Sequence, residues 1–213
     1  MNFGEQSIKD FLRDLESDLP APGGGSVAGL ISALSGALNS MVYSLTVGKK
    51  AYMNLEESEK TLINKFQEES KRFTKKSLEI MDLDRENFLK LMNSYKMPKN
   101  TEEEIELRKK AIRDNTIKSM EAPLALARES LKFYDNLKIM NKYGNRMLLS
   151  DLSISAILLN SAIESSIINV KVNLNSIKNE EFFEVINNEL KNIQEESEKN
   201  KKEICENIEK IIY

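Results

Sequence analysis

The sequence predicts an all-α fold: a single domain over residues 1–213, built as a multihelical bundle of about six or seven helices around long central helices. Three observations predict this class. Glycine and proline, which the turns of β proteins need, contribute only 8 and 4 residues. Apolar residues recur with helical spacing along most of the chain. Residues 19–48 and 152–163 carry no charge, which is typical of helices surrounded by protein.

A short amphipathic helix is predicted first, over residues 7–18, because four apolar residues recur on one side. These residues are Ile8, Phe11, Leu12 and Leu15. The segment PAPGGGS at residues 20–26 ends this helix. Its last residue, Ser26, is the predicted N-cap of a second helix over residues 27–46.

A long third helix is predicted over residues 56–95. Thr101, with Glu104 three residues later, forms a capping box that opens the fourth helix. Pro123 is expected to kink or break that helix, which then continues to about residue 143. Gly144 is its expected C-cap.

Two further helices complete the predicted bundle, over residues 151–173 and 180–213. The first contains an uncharged run and is expected to be central. The second has a polar face dense in glutamate and lysine, which is typical of a solvated outer helix.

The composition excludes several kinds of catalytic site. The chain has no histidine, so it contains neither a Ser-His-Asp or Cys-His nucleophile nor an imidazole-ligated metal. No metal site is predicted, and acid–base chemistry falls to carboxylates, lysines, tyrosines or backbone groups. Cys205 is the single cysteine, so no internal disulfide can form, as expected of a reducing compartment.

The net charge and the distribution of charged residues indicate which partners and which location to expect for the protein. The net charge is −3, from 31 basic and 34 acidic residues, which disfavours a nucleic-acid partner. Residues 1–18 show no signal-peptide pattern, so a cytoplasmic protein is expected. The uncharged stretch 19–48 is long enough to span a bilayer, but its serines, asparagine and threonine favour a helix buried in protein, with no membrane contact.

The glycine-rich segment is the strongest local feature for binding a ligand. Gly23, Gly24, Gly25 and Ser26 open onto a helix, and three consecutive glycines cost conformational entropy on folding. Bare backbone N–H groups at the positive end of a helix suit a carboxylate or phosphate. The alternative is a tight turn between helices, for which one glycine would suffice. The segment is not a P-loop, because no Gly-Lys-Ser/Thr follows.

Small residues dominate the second helix and let another helix, or a flat ligand, lie close to its backbone. Close helix packing is the favoured interpretation. The small residues are Ala28, Gly29, Ser32, Ala33, Ser35, Gly36, Ala37 and Ser40.

Two acids on the third helix differ in their surroundings. Neighbouring acids on a helix are usually solvated, which is the expectation for Asp82. Asp84 lies four residues before Phe88, so it can border the buried side. A partly buried carboxylate with a raised pKa could transfer protons in an enzyme that lacks histidine.

Polar residues near the fifth predicted helix form the last group of candidates. Asn145 precedes it, and Asp151 is a natural N-cap or first-turn acid. Asn169 and Asn173 share one face of a largely apolar helix, and buried amides need partners. Hydrogen bonds to another helix would satisfy them, and so would the polar edge of a heteroaromatic ligand.

Several motifs occur in an order that is typical of one known family. They are PAPGGGSVAGL, MV, TVGKK, DLDRENF, YKMPKN, GNRMLLSD and NVKVNL, between about residues 7 and 177. In this arrangement the chain resembles the formiminotetrahydrofolate cyclodeaminase / methenyltetrahydrofolate cyclohydrolase family. The resemblance implies an all-helical fold, homodimers, a tetrahydrofolate substrate near the glycine-rich segment, and no cofactor beyond that substrate.

The resemblance also implies roles for single residues. Asp84, the second acid of DLDRENF, matches the proposed catalytic residue. The glycines and Ser26, with Lys49 or Lys50, are expected to hold the glutamate tail of the folate, and Lys96 is a further candidate for substrate binding. Four polar residues are expected to contact the pterin: Asn145, Asp151, Asn169 and Asn173.

The reaction expected from the resemblance is cyclisation of 5-formiminotetrahydrofolate to 5,10-methenyltetrahydrofolate with release of ammonia, in one-carbon metabolism and histidine degradation. The nearest alternative is a 5,10-methenyltetrahydrofolate cyclohydrolase that gives 10-formyltetrahydrofolate. A non-catalytic folate-binding helical module and a membrane-anchored helix pair are the others. The formiminotransferase activity of the bifunctional animal enzymes is not expected, because the chain is too short to contain that domain.

Overall fold

A computed structural model describes residues 2–212 and confirms the all-α class. Within those residues there are seven α-helices and no strand. The helices are α1 Ile8–Leu15, α2 Gly24–Ser44, α3 Lys50–Met53, α4 Glu57–Tyr95, α5 Glu102–Tyr143, α6 Leu149–Asn175 and α7 Phe183–Ile212, with 3-10 turns at Phe3–Glu5 and Arg146–Leu148. The predicted end of the last helix at Tyr213 lies outside the described residues.

Helix α2 occupies the centre of the bundle. It packs along α4 and α6 and also contacts α5, while α7 covers α5 and α6 from outside. The main hydrophobic core runs from α2 through α5 and α6 to α7. The two predicted central helices are therefore central, and the predicted outer helix lies outside.

Helices α2 and α4 approach so closely that glycine is required between them. A Cβ on Gly29 would lie 2.7 Å from the Cβ of Met81 and 3.1 Å from its Cα. A Cβ on Gly36 would lie 2.9 Å from Cδ1 of Phe73. The small residues of α2 therefore serve close helix packing, as the sequence predicts.

Several polar residues of α2 hydrogen-bond neighbouring helices, although Oδ1 of Asn39 has no partner among the described residues. Asn39 donates a hydrogen bond to Oδ1 of Asn136 at 2.7 Å, and the Ser35 hydroxyl donates to the carbonyl of Ser155 at 2.9 Å. All four residues are buried. These contacts explain why an uncharged central helix carries so many polar side chains, because each buried polar group needs a partner.

Two helical segments have the length and composition of membrane spans. They are Gly24–Ser44 and Arg146–Asn175, each with a mean hydropathy of 1.3. Within the chain, 56% and 44% of their most apolar windows are buried. Length and hydropathy of this kind also occur in the central helices of a helical bundle.

Most predicted helix ends are confirmed, but the predicted start of α2 is wrong. Ser7 caps α1 by accepting a hydrogen bond from the Asp10 N–H at 3.1 Å, and Thr101 forms the predicted capping box of α5. The N-cap of α2 is Gly23 rather than Ser26, because Gly23 has the extended backbone that an N-cap needs (φ −143°, ψ −160°) and Ser26 already lies inside the helix.

Pro123 is expected to kink or break the helix, and the break is wrong because α5 continues through this residue. The kink stays a prediction. Proline has no N–H, and its ring disturbs the carbonyl four residues earlier. Two asparagines from other helices hydrogen-bond the carbonyls at this point. Asn173 Nδ2 donates to the carbonyl of Ser119 at 3.3 Å, and Asn87 Nδ2 donates to that of Lys118 at 2.9 Å.

Gly29→Ala tests the close packing of α2 on α4. We expect the free energy of unfolding to fall by about 1 to 2 kcal/mol, because the strain of admitting a methyl group outweighs the better helix propensity of alanine. Gly4→Ala is the matched control, since a Cβ there would lie 3.6 Å from Cδ1 of Leu78, an ordinary contact. Denaturant unfolding gives both values, and equal stabilities would contradict the close packing.

Candidate active site

A cavity of about 220 Å³ lies where the first turn of α2 meets α4, α5 and α6. It brings together the glycine-rich segment, Asp84 and both paired asparagines of α6. The lining residues are Pro20, Ala21, Gly23, Gly24, Gly25, Ser26, Asp84, Arg85, Phe88, Ser119, Asn169, Val172 and Asn173.

A larger groove of about 800 Å³ runs between α4 and α5. Phe73 and Phe133 stack there with ring centroids 3.8 Å apart, and charged residues surround them. The groove contains none of the residues that the sequence singles out. The smaller cavity is therefore the candidate site.

The amino end of α2 forms one wall of the cavity. The N–H groups of Gly24, Gly25 and Ser26 belong to its first turn, so the helix itself provides no acceptor for them. No side chain caps this end of the helix. These donors, together with the positive end of the helix dipole, suit an oxygen-rich or anionic group of a ligand.

The carboxylate of Asp84 lies directly against this wall. A Cβ added to Gly25 would overlap the carboxylate of Asp84, so only glycine permits this approach. Burial raises the pKa of Asp84 to about 6. The nearby amino end of α2 favours the ionised form and acts in the opposite direction. A carboxyl group with a pKa near neutrality can both accept and donate a proton.

Arg85 and Phe88 continue the α4 wall. The guanidinium carbon of Arg85 lies 4.7 Å from the ring centroid of Phe3, which is a cation–π distance. Phe88, one turn after Asp84, supplies an apolar surface beside the carboxylate. The i,i+4 spacing therefore predicts correctly that Asp84 borders the buried side.

The two asparagines of α6 form the opposite wall. Asn169 Nδ2 donates to the carbonyl of Ser165 at 2.8 Å, and Asn173 Nδ2 donates to those of Asn169 and Ser119 at 3.0 and 3.3 Å. A carbonyl only accepts hydrogen bonds, so these contacts determine which amide atom is nitrogen. The Oδ1 atoms of Asn169 and Asn173 are left as acceptors for a ligand.

Five predicted binding residues lie outside the cavity. Lys49, Lys50, Asn145 and Asp151 lie near the other end of α2, where the Asn145 N–H donates to Thr46 at 3.0 Å. This helix of 21 residues is about 30 Å long. Lys96 follows the last residue of α4, about 18 Å along the helix from Asp84. Within one chain these five residues make no contact with a ligand in the cavity.

Outside the segment PAPGGGS, four lining residues are not among the predicted site residues. Arg85 and Phe88 lie within the motif DLDRENF and Val172 within NVKVNL, so their motifs are signals for them. The sequence feature that points to Ser119 is its position four residues before Pro123, because its carbonyl then lacks a helical donor. Within residues 2–212, no cluster of three or more acidic or cysteine side chains could hold a metal ion.

Comparison with known proteins gives consistent matches. A family model described as formiminotransferase-cyclodeaminase matches residues 7–192. The methenyltetrahydrofolate cyclohydrolase of Methylorubrum extorquens is 33% identical over 181 residues, which are 85% of this chain and 85% of that protein. The formimidoyltransferase-cyclodeaminase of Rattus norvegicus is 30% identical over 193 residues, or 91% of this chain. The chain spans only 35% of the length of the rat protein.

A solved structure supports the fold independently. The crystal structure of formiminotetrahydrofolate cyclodeaminase from Thermotoga maritima matches with a TM-score of 0.78 and 24% identity. The match covers 98% of this chain and 96% of that one. The helical architecture is therefore shared over nearly the whole length of both chains.

The pH dependence of stability tests the environment of Asp84. Its folded-state pKa of about 6 lies above the ordinary aspartate pKa of 3.8, so the stability present below pH 4 is lost as the pH rises through 6. Asp84→Asn removes this loss. We expect the variant to be more stable than the wild type at pH 8, by on the order of 1 to 3 kcal/mol, with the difference shrinking towards pH 4.

Denaturant unfolding at both pH values measures this difference. Asp18→Asn, which alters an exposed carboxylate, is the control and should change the stability little at either pH. An Asp84→Asn variant that loses stability at pH 8 would show that the folded protein favours the ionised carboxylate.

Proposed function

The chain belongs to the formiminotransferase-cyclodeaminase family of folate one-carbon enzymes, and we propose that it catalyses the cyclodeaminase reaction. In that reaction, 5-formiminotetrahydrofolate closes to 5,10-methenyltetrahydrofolate and releases ammonia. Asp84 is the proposed catalytic residue. No cofactor beyond the folate substrate is proposed.

The position of Asp84 is the observation that carries this proposal. The carboxyl group has a pKa of about 6, lies beside the amino end of α2 and lines a cavity with two amide acceptors. The chain has no histidine, so this acid is the natural candidate for proton transfer in the cavity. A guanidinium offers hydrogen-bond donors but no acceptor, so Arg85, which also lines the cavity, is less suited to that role.

The proposed chemistry needs one proton relay. N10 of the substrate attacks the carbon of the protonated formimino group on N5, and the tetrahedral adduct carries the former imine nitrogen as an amine. Asp84 accepts the proton that N10 loses and delivers it to the departing nitrogen. The C–N bond to that nitrogen then breaks, ammonia leaves, and the methenyl cation remains between N5 and N10. Both reacting atoms belong to one molecule, so orientation supplies much of the rate.

The cavity is too small for a complete tetrahydrofolate derivative. Pockets that enclose a whole drug-sized ligand measure roughly 300 to 1,000 Å³, against about 220 Å³ here. We therefore place the bicyclic ring and its one-carbon group inside, with the glutamate tail extending outwards. The N–H groups of Gly24, Gly25 and Ser26 face an oxygen-rich group of the ligand, and Asn169 and Asn173 face its N–H groups.

The cyclohydrolase reaction is the second candidate. The bacterial cyclohydrolase is matched over 85% of its own length, so it resembles this chain in overall extent as well as in sequence. The same cavity would then admit water to the methenyl carbon, with Asp84 as the general base. The substrate and the product distinguish the two reactions.

A second copy of the chain is the proposed partner. Helices α2 and α6 pack side by side and share an apolar surface, the α2–α6 face, which includes Leu34, Leu45, Ile154 and Ile157. These four side chains are 41% to 50% exposed. Apolar patches without charge are typical of interfaces, and an isologous dimer would bury the same face on both chains.

The reaction is tested by mixing the purified protein with 5-formiminotetrahydrofolate. We expect ammonia release together with the absorbance of the methenyl product. Asp84→Asn should lower kcat by about 10²- to 10⁴-fold, because an amide cannot relay the proton. Glu86→Gln, an exposed acid two residues later, is the control and should retain the wild-type rate.

The other outcomes distinguish the rival functions. Conversion of added 5,10-methenyltetrahydrofolate to 10-formyltetrahydrofolate, with no ammonia from the formimino substrate, would establish the cyclohydrolase. Folate binding without either reaction would establish the non-catalytic module.

Ile157→Arg tests the proposed dimer. Light scattering after size-exclusion chromatography should give twice the chain mass of 24.3 kDa for the wild type and the chain mass for the variant. An arginine on the α2–α6 face would introduce a buried, unpaired charge. Leu107→Arg replaces an apolar residue of α5 that is 54% exposed, and it should leave the dimer intact. A wild type with the mass of one chain would contradict the dimer.

A further inference from the structure

The hydroxyl of Ser119 is a buried polar group that the proposed proton relay does not use. Ser119 is 5% exposed, lines the cavity and belongs to the middle of α5. Its Oγ is buried and has no hydrogen-bond partner. A buried hydroxyl without a partner is unfavourable, so a site that keeps one needs a physical reason.

Comparable hydroxyl groups in the same bundle have partners. Thr116, one turn earlier on α5, donates to the carbonyl of Ile112 at 2.7 Å. Ser166 on α6 donates to the carbonyl of Ala162 at 2.7 Å. Bonding to the carbonyl four residues earlier is the usual solution for serine and threonine inside a helix. Ser119 does not use this solution.

The backbone around Ser119 is held by contacts that arise from Pro123. The proline cannot donate to the Ser119 carbonyl, and Asn173 Nδ2 takes over that carbonyl at 3.3 Å. The same nitrogen donates to the carbonyl of Asn169 at 3.0 Å. Ser119 is therefore joined through its backbone to the amide wall of α6, and the residue lines the cavity.

The three side chains present a consistent hydrogen-bonding pattern. Asn173 donates both N–H groups of its amide to carbonyls and Asn169 donates one, so the two Oδ1 acceptors and one N–H of Asn169 remain for a ligand. The Ser119 hydroxyl can accept or donate. The bicyclic ring of a folate carries adjacent N–H, NH₂ and ring-nitrogen groups along one edge. This edge offers partners to all three side chains.

We propose that Ser119 is a substrate-binding residue whose hydroxyl hydrogen-bonds the bicyclic ring of the folate, beside the amide oxygens of Asn169 and Asn173; this inference rests on the proposed function. The bond orients the ring so that N5 and N10 lie near Asp84. Ligand binding gives the Ser119 hydroxyl the hydrogen-bond partner that it lacks among residues 2–212.

Ser119→Ala is the decisive variant, with Ser166→Ala as the matched control. Both remove a buried hydroxyl from a helix, but only Ser119 lines the cavity. For Ser119→Ala we expect KM for the folate substrate to rise about 3- to 10-fold, the effect of one neutral hydrogen bond, with kcat within about twofold of the wild type. Ser166→Ala should leave KM unchanged.

The thermal stability of the ligand-free protein is a second measurement, and it distinguishes the two variants. Ser119→Ala should match or exceed the wild type in thermal unfolding, because it removes an unpaired polar group. Ser166→Ala should unfold at a lower temperature, because it loses a hydrogen bond. The stabilisation of the protein by added 5-formyltetrahydrofolate should shrink in Ser119→Ala alone.

The outcomes separate this inference from the proposed function. If the wild type turns over its folate substrate and Ser119→Ala has an unchanged KM, the hydroxyl does not bind the substrate. If Ser119→Ala is destabilised without ligand, the role of the hydroxyl is structural and the inference is overturned. If the wild type neither binds nor converts any folate, the proposed function itself fails, and with it this inference.

Discussion

The close approach of α2 and α4 is the constraint on which the rest of the structure depends. Three glycines of α2 form the contact, and their partners on α4 run in the opposite direction: Gly36 meets Phe73, Gly29 meets Met81, and Gly25 meets Asp84. The first two contacts set the register of the helices, and the third places a carboxylate at the amino end of α2. The same contact between α2 and α4 therefore determines both the packing of the bundle and the position of the candidate catalytic acid.

This geometry places opposing electrostatic effects on a single carboxyl group. Burial disfavours the charged form and raises the pKa of Asp84 to about 6, whereas the nearby helix end favours the charge. The result is an acid that changes protonation near neutrality, as proton transfer requires. The rest of the cavity divides into N–H donors on α2 and amide acceptors on α6. In the proposed function, the substrate is recognised by the arrangement of its donors and acceptors, and its reacting atoms are held near Asp84.

Much of this arrangement could be predicted from sequence, but only where local periodicity carries the information. Helical spacing predicts the fold class and places Asp84 on the buried side through Phe88. It also places Asn169 and Asn173 on one face. Periodicity does not predict which ends of distant helices meet, so the expected site joins Lys49 to the glycines and Asn145 to Asn169, although α2 separates the members of each pair. The helix α2 also begins earlier than predicted. Gly24 and Gly25 belong to its first turn, where they pack against α6 and α4.

Pro123 shows how a local rule can fail for a physical reason that bears on the site. A proline inside a helix removes one hydrogen bond and normally breaks or kinks the helix. Here Asn87 from α4 and Asn173 from α6 hydrogen-bond the carbonyls of Lys118 and Ser119, so the missing bond is replaced by contacts between helices. Those contacts tie three helices together at the cavity. Alanine at position 123 would keep the helical hydrogen bond and compete with Asn173 for the Ser119 carbonyl. The proline therefore favours the hydrogen bond between α5 and α6 at Ser119, a residue that lines the cavity, over the regular helical bond.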